Sequence, residues 1–333
     1  MQNLQKPKIG VIGNGSWATA IVKMLCENLE SVNWWVRTEY TKGFIENQRH
    51  NPKYLTGVEF HPEKIRLTTD INELVKNSDY IILAVPSIYL QEALNGLTEN
   101  LSDKIIFSAV KGIIPEIKDV VGVFLQEKMK IPKENIGIIT GPSHAEEVAM
   151  ERLSYLTIAA LSEKTAKNMA DCLGSRYIKT TLSDDIFGTE YASVLKNIFA
   201  IASGIARGLG YGDNFQAVLI SNAIREMKRF LDVVFPTHRD INNSAYLGDL
   251  LVTGYSSFSR NRLLGNMIGK GYTVRSAILE MNMVAEGYYA AQSIYEKAKI
   301  ENINMPITKM VYQILYEGKN PDKELIKLCV SLN

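Results

Sequence analysis

The sequence predicts an α/β N-terminal domain with a doubly wound parallel sheet, followed by an all-α C-terminal domain. A chain of 333 residues exceeds the roughly 250–300 residues at which one hydrophobic core usually divides. In the first half, short β-branched runs alternate with helical stretches, as in a parallel sheet covered on both faces. From Ile186 onward only helical periodicity continues. We therefore predict domains at residues 1–185 and 186–333.

The individual elements follow from the same patterns. The first strand, Lys8–Gly13, leads into an amphipathic helix over Ser16–Leu29. Further strands are predicted at Val32–Val36, Tyr80–Val85, Lys104–Ser108, Ile136–Thr140 and Leu156–Ala160. Helices of the second domain are predicted at Thr189–Arg207, Phe215–Val233, Thr273–Lys299 and Ile307–Glu317.

Charge and composition argue against several classes of function. Lys and Arg number 37 and Asp and Glu 36, for a net charge of +1, so nucleic acid and anionic membranes are poor partners. The apolar stretch Ile198–Ala206 is far shorter than the roughly 20 residues that span a bilayer. Cys26, Cys172 and Cys329 form no C-x-x-C pair, and the four histidines lack close metal-ligand spacing. We expect a cytoplasmic protein without a metal or a membrane span.

A glycine-rich turn stands between the first strand and the first helix. It reads Gly13-Asn-Gly15-Ser-Trp-Ala18, which matches G-x-G-x-x-A. Gly13 suits a tight turn, Gly15 lets the backbone approach a pyrophosphate, and the small Ala18 lets helix and strand pack closely. The helix start offers free N–H groups and partial positive charge to the phosphates. The pattern predicts a Rossmann domain that binds a dinucleotide.

The end of the second strand leaves the choice between NAD and NADP open. An NAD-selective fold usually ends this strand in an acidic residue that holds the ribose hydroxyls. Here the strand is followed by Arg37 and Glu39. Arg37 can stack on adenine or pair with a 2′-phosphate, and Glu39 is the candidate for NAD selectivity.

Two loops follow predicted strands at the edge where open α/β sheets bind ligands. Ser108-Ala-Val-Lys111-Gly112 follows one strand, and Gly141-Pro-Ser143-His-Ala145 follows the next. Glycine at 141 admits a ligand against the backbone, and Ser143 supplies a hydroxyl. Either loop alone is compatible with solvated polar groups, whereas two at one edge favour a ligand site.

Charged groups in the second domain suggest chemistry. Lys196 and Asn197 lie in an otherwise apolar helix; the lysine either extends its ammonium to solvent or is desolvated, which lowers its pKa and suits proton transfer. Asp249, between apolar residues, is either a helix N-cap or a counter-charge that orients a lysine. Ser257-Phe-Ser259-Arg260-Asn261 is either a polar loop or a clamp for phosphate oxygens.

These residues belong to an ordered set of motifs that resembles the soluble NAD(P)-dependent glycerol-3-phosphate dehydrogenases. The matching stretches are Gly10–Ala20, Asn51–Leu55, Val110–Gly112, Gly141–Ala145, Leu195–Asn197, Gly208–Asn214, Gly248–Leu250, Ser259–Asn261 and Val284–Gly287. They occur in the family's order from residue 10 to nearly 290. Each motif is short, but the ordered set is specific.

The resemblance implies reversible hydride transfer between a nicotinamide, NAD or NADP, and C2 of dihydroxyacetone phosphate or sn-glycerol 3-phosphate. By the family's pattern Lys196 is the general acid/base, Lys111 and Asn197 hold the reacting oxygens, and Asp249 orients Lys196. Substrate-binding residues are implied at Lys111, Gly141, Ser143, Lys196, Asn197, Asp249, Ser259, Arg260 and Asn261. Cofactor-binding residues are implied at Gly13, Gly15, Ser16, Trp17, Arg37, Tyr54, Lys111, Ala145, Arg260, Val284 and Glu286.

The sequence departs from the family before Asp249. A glycine- and threonine-rich approach is replaced there by residues 238–247, which puts the local loop shape in question. Two alternatives stay open: a related two-domain dehydrogenase of a 3-hydroxy acid or a sugar nucleotide, and a non-catalytic dinucleotide sensor. The family further suggests a supply of glycerol 3-phosphate for phospholipid synthesis. An apolar helical face in the second half makes a homodimer reasonable.

Overall fold

The computed structural model describes residues 6–281 and 283–332 and divides into two compact units. Unit 1 comprises Met1–Val110 and Val121–Ile186, and unit 2 comprises Lys111–Val120 and Phe187–Asn333. The short segment at 111–120, which sequence reasoning assigned to the first domain, therefore groups with the helical unit. A sheet domain followed by a helical domain is the fold class that the sequence predicts, and it is confirmed.

Unit 1 is built on an eight-stranded sheet. Its strands are β1 (Ile9–Ile12), β2 (Val32–Trp35), β3 (Ile65–Thr68), β4 (Tyr80–Leu83), β5 (Ile105–Ser108), β8 (Ile136–Thr140), β9 (Ser154–Ala160) and β10 (Ile178–Ser183), while β6 (Ile113–Ile114) and β7 (Asp119–Val120) form a hairpin in unit 2. The spatial order is β10-β9-β8-β5-β4-β1-β2-β3. All neighbours are parallel except β8 and β9, which are antiparallel.

The helices of unit 1 connect these strands. They are α1 (Ser16–Asn28), α2 (Glu39–Gln48), α3 (Ile71–Lys76), α4 (Leu90–Ala93), α5 (Val121–Glu127), α6 (Ala145–Ala149) and α7 (Glu163–Leu173), with 3₁₀ turns at Pro62–Lys64, Ser87–Tyr89 and Lys133–Asn135. β1 and β4 are buried along their whole length, which explains their continuous apolar runs. The indole of the buried Trp34 donates to the Gly13 carbonyl oxygen at 2.7 Å, so the core holds the glycine turn.

Among its described residues, unit 2 is helical apart from the β6–β7 hairpin and the connecting loops. Its helices are α8 (Ile186–Gly208), α9 (Asp213–Val234), α10 (Asp249–Tyr255), α11 (Arg260–Gly269), α12 (Val274–Glu280), α13 (Glu286–Ile300), α14 (Pro306–Tyr316) and α15 (Pro321–Cys329), and a π-helical turn at Ser244–Gly248 precedes α10. The prediction of one helix over Thr273–Lys299 is wrong. The backbone becomes extended at Met281, and a new helix begins at Glu286.

Glycines let α8 and α11 pack backbone against backbone. A Cβ on Gly204 would overlap the Arg262 carbonyl oxygen, and a Cβ on Gly265 would overlap that of Ile201. Small residues allow helix axes to approach more closely than the usual 8–10 Å. This contact fixes the C-terminal half of α8 against the helix that begins at Arg260.

Candidate functional site

The glycine turn of unit 1 has the shape that a pyrophosphate needs. Gly13 has a φ of +128°, and a Cβ there would lie 2.5 Å from the Ala84 carbonyl oxygen, so only glycine fits. Gly15 faces open space: in the described part of the chain, no atom beyond its two sequence neighbours lies within 4 Å of an added Cβ, and Gly15 is the N-cap of α1. No acidic residue lies in the first turn of α1, so nothing in that turn opposes an anion.

A loop that carries Tyr54 is tied to this turn by Asn51, a residue that sequence reasoning left without a role. The fully buried Asn51 side chain donates to the Asn14 carbonyl oxygen at 2.9 Å and to the Thr19 hydroxyl at 3.0 Å. Its carbonyl oxygen accepts from the Tyr54 amide at 3.0 Å. The asparagine that begins the Asn51–Leu55 motif is the feature of the sequence that could have indicated this connection between the loop and the glycine turn.

The two residues after β2 make different contacts. Arg37 is exposed and pairs with Glu92 at 2.7 Å, an ion pair in which both side chains are more than half exposed. Glu39 begins α2, and its carboxylate accepts from the Thr69 hydroxyl. Surface pairs of this kind stabilise a protein by about 0–1 kcal/mol, so a ligand can displace Glu92 from Arg37 at little cost.

The loop after β8 places Gly141, Ser143 and Ala145 at the end of the strand. Gly141 has a φ of +107°, and a Cβ there would lie 2.7 Å from the Tyr155 carbonyl oxygen of β9. The glycine is thus required by the neighbouring strand, a different reason from the ligand contact inferred from the sequence. The buried Ser143 hydroxyl donates to the Gly141 carbonyl oxygen at 3.0 Å, and Ala145 begins α6.

Lys196 and Asp249 form a buried ion pair in unit 2. The Lys196 Nζ lies 2.5 Å from Asp249 Oδ1, and the two side chains are 5% and 2% exposed. Asp249 is the first residue of α10, with Gly248 at the N-cap position. Lys196 lies within the apolar helix α8, where its neighbours Leu195 and Ile198 are fully buried.

Burial lowers the pKa of the Lys196 ammonium from 10.5 to about 7. The Asp249 carboxylate opposes this change, while the positive charge of Lys111 adds to it. An amine that titrates near neutrality can both donate and accept a proton at physiological pH. This property distinguishes Lys196 from a lysine that extends its charge to solvent.

Lys111 is the first residue of the hairpin segment 111–120 and belongs to unit 2, like Lys196 and Asp249. The Asn197 side-chain amide donates to the Lys111 backbone carbonyl oxygen at 2.7 Å. Lys196, Asn197, Lys111 and Asp249 are therefore brought together from three separate parts of the sequence.

The Ser259–Asn261 motif lies at the start of α11. The buried Ser259 hydroxyl is the N-cap of this helix and accepts from the Arg262 backbone amide at 3.3 Å. Arg260 is half-buried at the first helical position. Asn261 is buried, and its Oδ1 accepts from the Gly287 amide at 2.9 Å.

That last contact connects α11 to the N-terminus of α13. A Cβ on Gly287 would lie 2.6 Å from the Asn197 carbonyl oxygen and 2.9 Å from Asn261 Oδ1, so glycine is needed there. Glu286 begins α13 and Val284 lies in the non-helical residues before it, both half-buried. Glycine in this motif is a second signal that sequence reasoning left unused.

The implied site residues divide between the two units. Unit 1 holds Gly13, Gly15, Ser16, Trp17, Arg37, Tyr54, Gly141, Ser143 and Ala145, and unit 2 holds Lys111, Lys196, Asn197, Asp249, Ser259, Arg260, Asn261, Val284 and Glu286. In the described ranges 6–281 and 283–332, no three His, Cys, Asp or Glu side chains group as a metal site. None of the helices within those ranges is both long and apolar enough to cross a membrane.

The parallel sheet and its glycine turn define unit 1 as a Rossmann-type dinucleotide-binding domain, here joined to a helical unit. Models of the N- and C-terminal domains of the NAD-dependent glycerol-3-phosphate dehydrogenases match residues 8–166 and 185–326. The chain belongs to this family of oxidoreductases.

Relatives and solved structures agree with this assignment. The chain is 34% identical to the glycerol-3-phosphate dehydrogenase (NAD(P)+) of Staphylococcus carnosus, over 96% of each chain. It is 36% identical to the enzyme of the same name from a Thermoanaerobacter strain, again over 96% of each. The crystal structure of glycerol-3-phosphate dehydrogenase from Coxiella burnetii superposes with a TM-score of 0.88 at 28% identity, covering 97% of this chain and 99% of that one.

Proposed function

We propose that this protein interconverts sn-glycerol 3-phosphate and dihydroxyacetone phosphate with NAD or NADP, and that Lys196 is its general acid/base. The observation that carries the proposal is the buried Lys196–Asp249 pair, in which the amine has a pKa of about 7. Burial of a lysine with one carboxylate costs several kcal/mol, an expense that proton transfer at a reacting oxygen explains.

The residues of unit 1 fit the dinucleotide. Gly13, Gly15 and the first turn of α1 would hold its pyrophosphate, and Arg37 its adenosine half. When bound, the nicotinamide supplies the hydride for C2 in one direction and accepts it in the other. The protein's own tasks are then to orient the substrate, to exclude water and to move one proton.

Proton transfer is assigned to Lys196. In the reduction, the ammonium gives its proton to the oxygen on C2 as negative charge develops there. In the oxidation, the neutral amine removes the proton from the C2 hydroxyl. Asp249 holds the amine in place and keeps its pKa from falling further. A positioned acid/base of this kind contributes about 10²–10⁴-fold in rate.

The remaining polar groups of unit 2 are assigned to the substrate. The Lys111 ammonium and the Asn197 amide would hold the reacting oxygens, and Arg260 and Asn261 the phosphate. The Gly287 backbone amide donates to Asn261 Oδ1 and so fixes the orientation of that side chain. The NH₂ group of the Asn261 side chain can then donate to an anion. Guanidinium groups suit phosphate because they donate two parallel hydrogen bonds.

Three further parts of the proposal concern the setting of the enzyme. We place it in the cytoplasm, in line with its three free thiols, and suggest that its product serves phospholipid synthesis, as the family resemblance indicates. We also propose a homodimer, because Leu251, Phe258 and Leu263 of unit 2 are large apolar side chains that are 40–49% exposed.

The test is turnover by Lys196→Met, which keeps the length of the side chain but lacks the amine. Oxidation of NADH or NADPH that depends on dihydroxyacetone phosphate should fall by about 10²–10⁴-fold, while the Kd for the reduced cofactor stays unchanged. The double variant Lys196→Met/Asp249→Asn is the stability control, because it also removes the buried negative charge whose counter-charge the single variant takes away.

Each alternative has its own outcome. Faster turnover of a 3-hydroxy acid than of glycerol 3-phosphate would favour the related dehydrogenase. Cofactor binding without turnover of any phosphorylated ketone or triol would favour a sensor. Wild-type turnover by Lys196→Met would remove Lys196 from the mechanism.

A further inference from the structure

The hairpin at Lys111–Val120 is held at its second strand, β7, by a partly buried cluster around Asp119. Asp119 Oδ1 accepts from the Tyr191 hydroxyl, and its Oδ2 accepts from Lys297 Nζ at 2.8 Å. Lys297 also donates to the Tyr191 hydroxyl oxygen at 2.7 Å and lies 5.2 Å from the centre of its ring. Tyr191 is fully buried, and the side chains of Asp119 and Lys297 are 18% and 27% exposed.

The elements joined by this cluster are those that carry the proposed chemistry. Tyr191 lies in α8, five residues before Lys196, and Lys297 lies in α13, the helix that begins beside Asn261. The first residue of the hairpin segment is bound to α8 through the contact from Asn197 to the Lys111 carbonyl oxygen. The ten-residue hairpin is thus attached to α8 at both ends.

The strands between the two attachments transmit this restraint. Ile113 and Ile114 of β6 are buried and pair with Val120 and Asp119 of β7. A displacement of Asp119 therefore moves β6, whose first residue is two positions after Lys111. Lys111 is in turn close enough to Lys196 for its charge to lower the pKa of that amine.

We propose that Asp119, together with Tyr191 and Lys297, is a positioning group of the active site that fixes the Lys111 ammonium relative to Lys196. This inference rests on the proposed function, and it adds residues that the family motifs do not include. The mechanism is electrostatic as well as steric: one partly buried carboxylate holds the hairpin against α8, and the hairpin carries the second cation of the site.

The test compares Asp119→Asn with Glu296→Gln. Asp119→Asn keeps the shape of the side chain but weakens both contacts of the carboxylate. Glu296→Gln is the matched control, because Glu296 forms a more exposed ion pair with Lys118 of the same hairpin, at 2.7 Å. For Asp119→Asn we expect kcat to fall about 10–100-fold with little change in Tm, and for Glu296→Gln no change in either.

A second measurement needs no turnover. The rate at which trace acetic anhydride labels the Lys196 amine, read by mass spectrometry across a pH series, gives the pKa of that amine. The charged groups that face Lys196 are Asp249 from α10 and Lys111 from the hairpin. If Lys111 shifts away in Asp119→Asn, the labelling pKa should rise by about 0.5–1, whereas a purely structural role of Asp119 leaves it where it is.

Lys297 supplies a pair of variants in case Asp119→Asn does not fold. Lys297→Met should reproduce the rise in labelling pKa, and Lys297→Arg should restore the wild-type value because it keeps the charge beside Asp119. An unchanged labelling pKa in Asp119→Asn or Lys297→Met would overturn the inference. Absence of wild-type turnover would refute the proposed function alone, because the labelling result is independent of it.

Discussion

Asp249→Asn changes the charge next to Lys196 and leaves its burial intact. The pKa of about 7 at Lys196 is the result of burial, which lowers it, and of the Asp249 carboxylate at 2.5 Å, which raises it. Asparagine fills nearly the same volume without the negative charge. The variant should therefore lower the pKa of Lys196 below 7.

The size of this change follows from the geometry. An opposite charge within about 4–6 Å shifts a pKa by about 1–3, and the pair here is closer and buried. We expect the pKa of Lys196 in Asp249→Asn to lie about 1–2 below the wild-type value. At a pH above the Lys196 pKa of both the wild type and the variant, the protonated fraction of Lys196 is about 10–100-fold smaller in the variant, because each unit of pKa changes that fraction by a factor of ten.

The assay measures kcat/KM for the substrate as a function of pH, in the direction of reduction and in the direction of oxidation. The absorbance of the reduced nicotinamide reports the rate in each direction. This ratio reports the pKa values of the free enzyme. Reduction needs the protonated amine and should lose rate as the pH rises through the pKa. Oxidation needs the neutral amine and should gain rate. The two midpoints move together, since both report Lys196 and the overall equilibrium is fixed by the reactants.

Thr253→Val is the matched control for disturbance of α10. The Thr253 hydroxyl donates to the Asp249 carbonyl oxygen at 2.7 Å and is buried, so its loss costs about 1 kcal/mol of stability without touching the carboxylate. Its pH midpoint should match the wild type. A midpoint in Asp249→Asn that stays near 7 or rises, with the fold intact, would refute the assignment of Asp249 as the counter-charge.

Two further predictions concern the stability of unit 2. Gly265→Ala should lower the free energy of unfolding, measured by denaturant titration, by about 3 kcal/mol, because the added Cβ overlaps the Ile201 carbonyl oxygen. The control is Gly43→Ala in α2, where the added Cβ faces open space; it should raise the free energy of unfolding by up to about 1 kcal/mol. Burial raises the pKa of Glu226 from 4.5 to about 7, although its carboxylate accepts from Thr308. The folded state thus holds that proton more tightly, so stability should fall by about 3 kcal/mol between pH 4.5 and 7, a dependence absent in Glu226→Gln.

The central strands could be predicted from the sequence because burial on both faces leaves a continuous apolar run. β8 was predicted to the residue, and β1, β2 and β4 to within a residue or two. The two edge strands, β3 and β10, were not predicted. β10 reads Ile-Lys-Thr-Thr-Leu-Ser, with several exposed side chains, and a half-solvated edge strand lacks the apolar pattern by which buried strands are recognised.

The break between α12 and α13 escaped prediction for a related reason. Helical periodicity depends on which face is apolar, and the residues on both sides of the break keep the same spacing. The structural need for the break comes from elsewhere in the chain, since α13 has to begin where the Gly287 amide meets Asn261 Oδ1. A contact between residues 26 positions apart leaves no local signal beyond the glycine itself.

The site shows the same division between local and distant causes. The glycine turn and the lysine in an apolar helix are local features, and both were visible in the sequence. The choice between a solvated lysine and a desolvated one depends on burial in the folded unit, and the counter-charge of the lysine, Asp249, lies 53 positions further along the chain. Lys111 approaches Lys196 because residues 111–120 pack with the helical unit. In the sequence, however, these residues come between β5 and β8, two strands of the sheet. Sequence patterns can therefore name the residues that carry charge, but only the fold determines which charges face each other and, through that, the pKa values on which the chemistry depends.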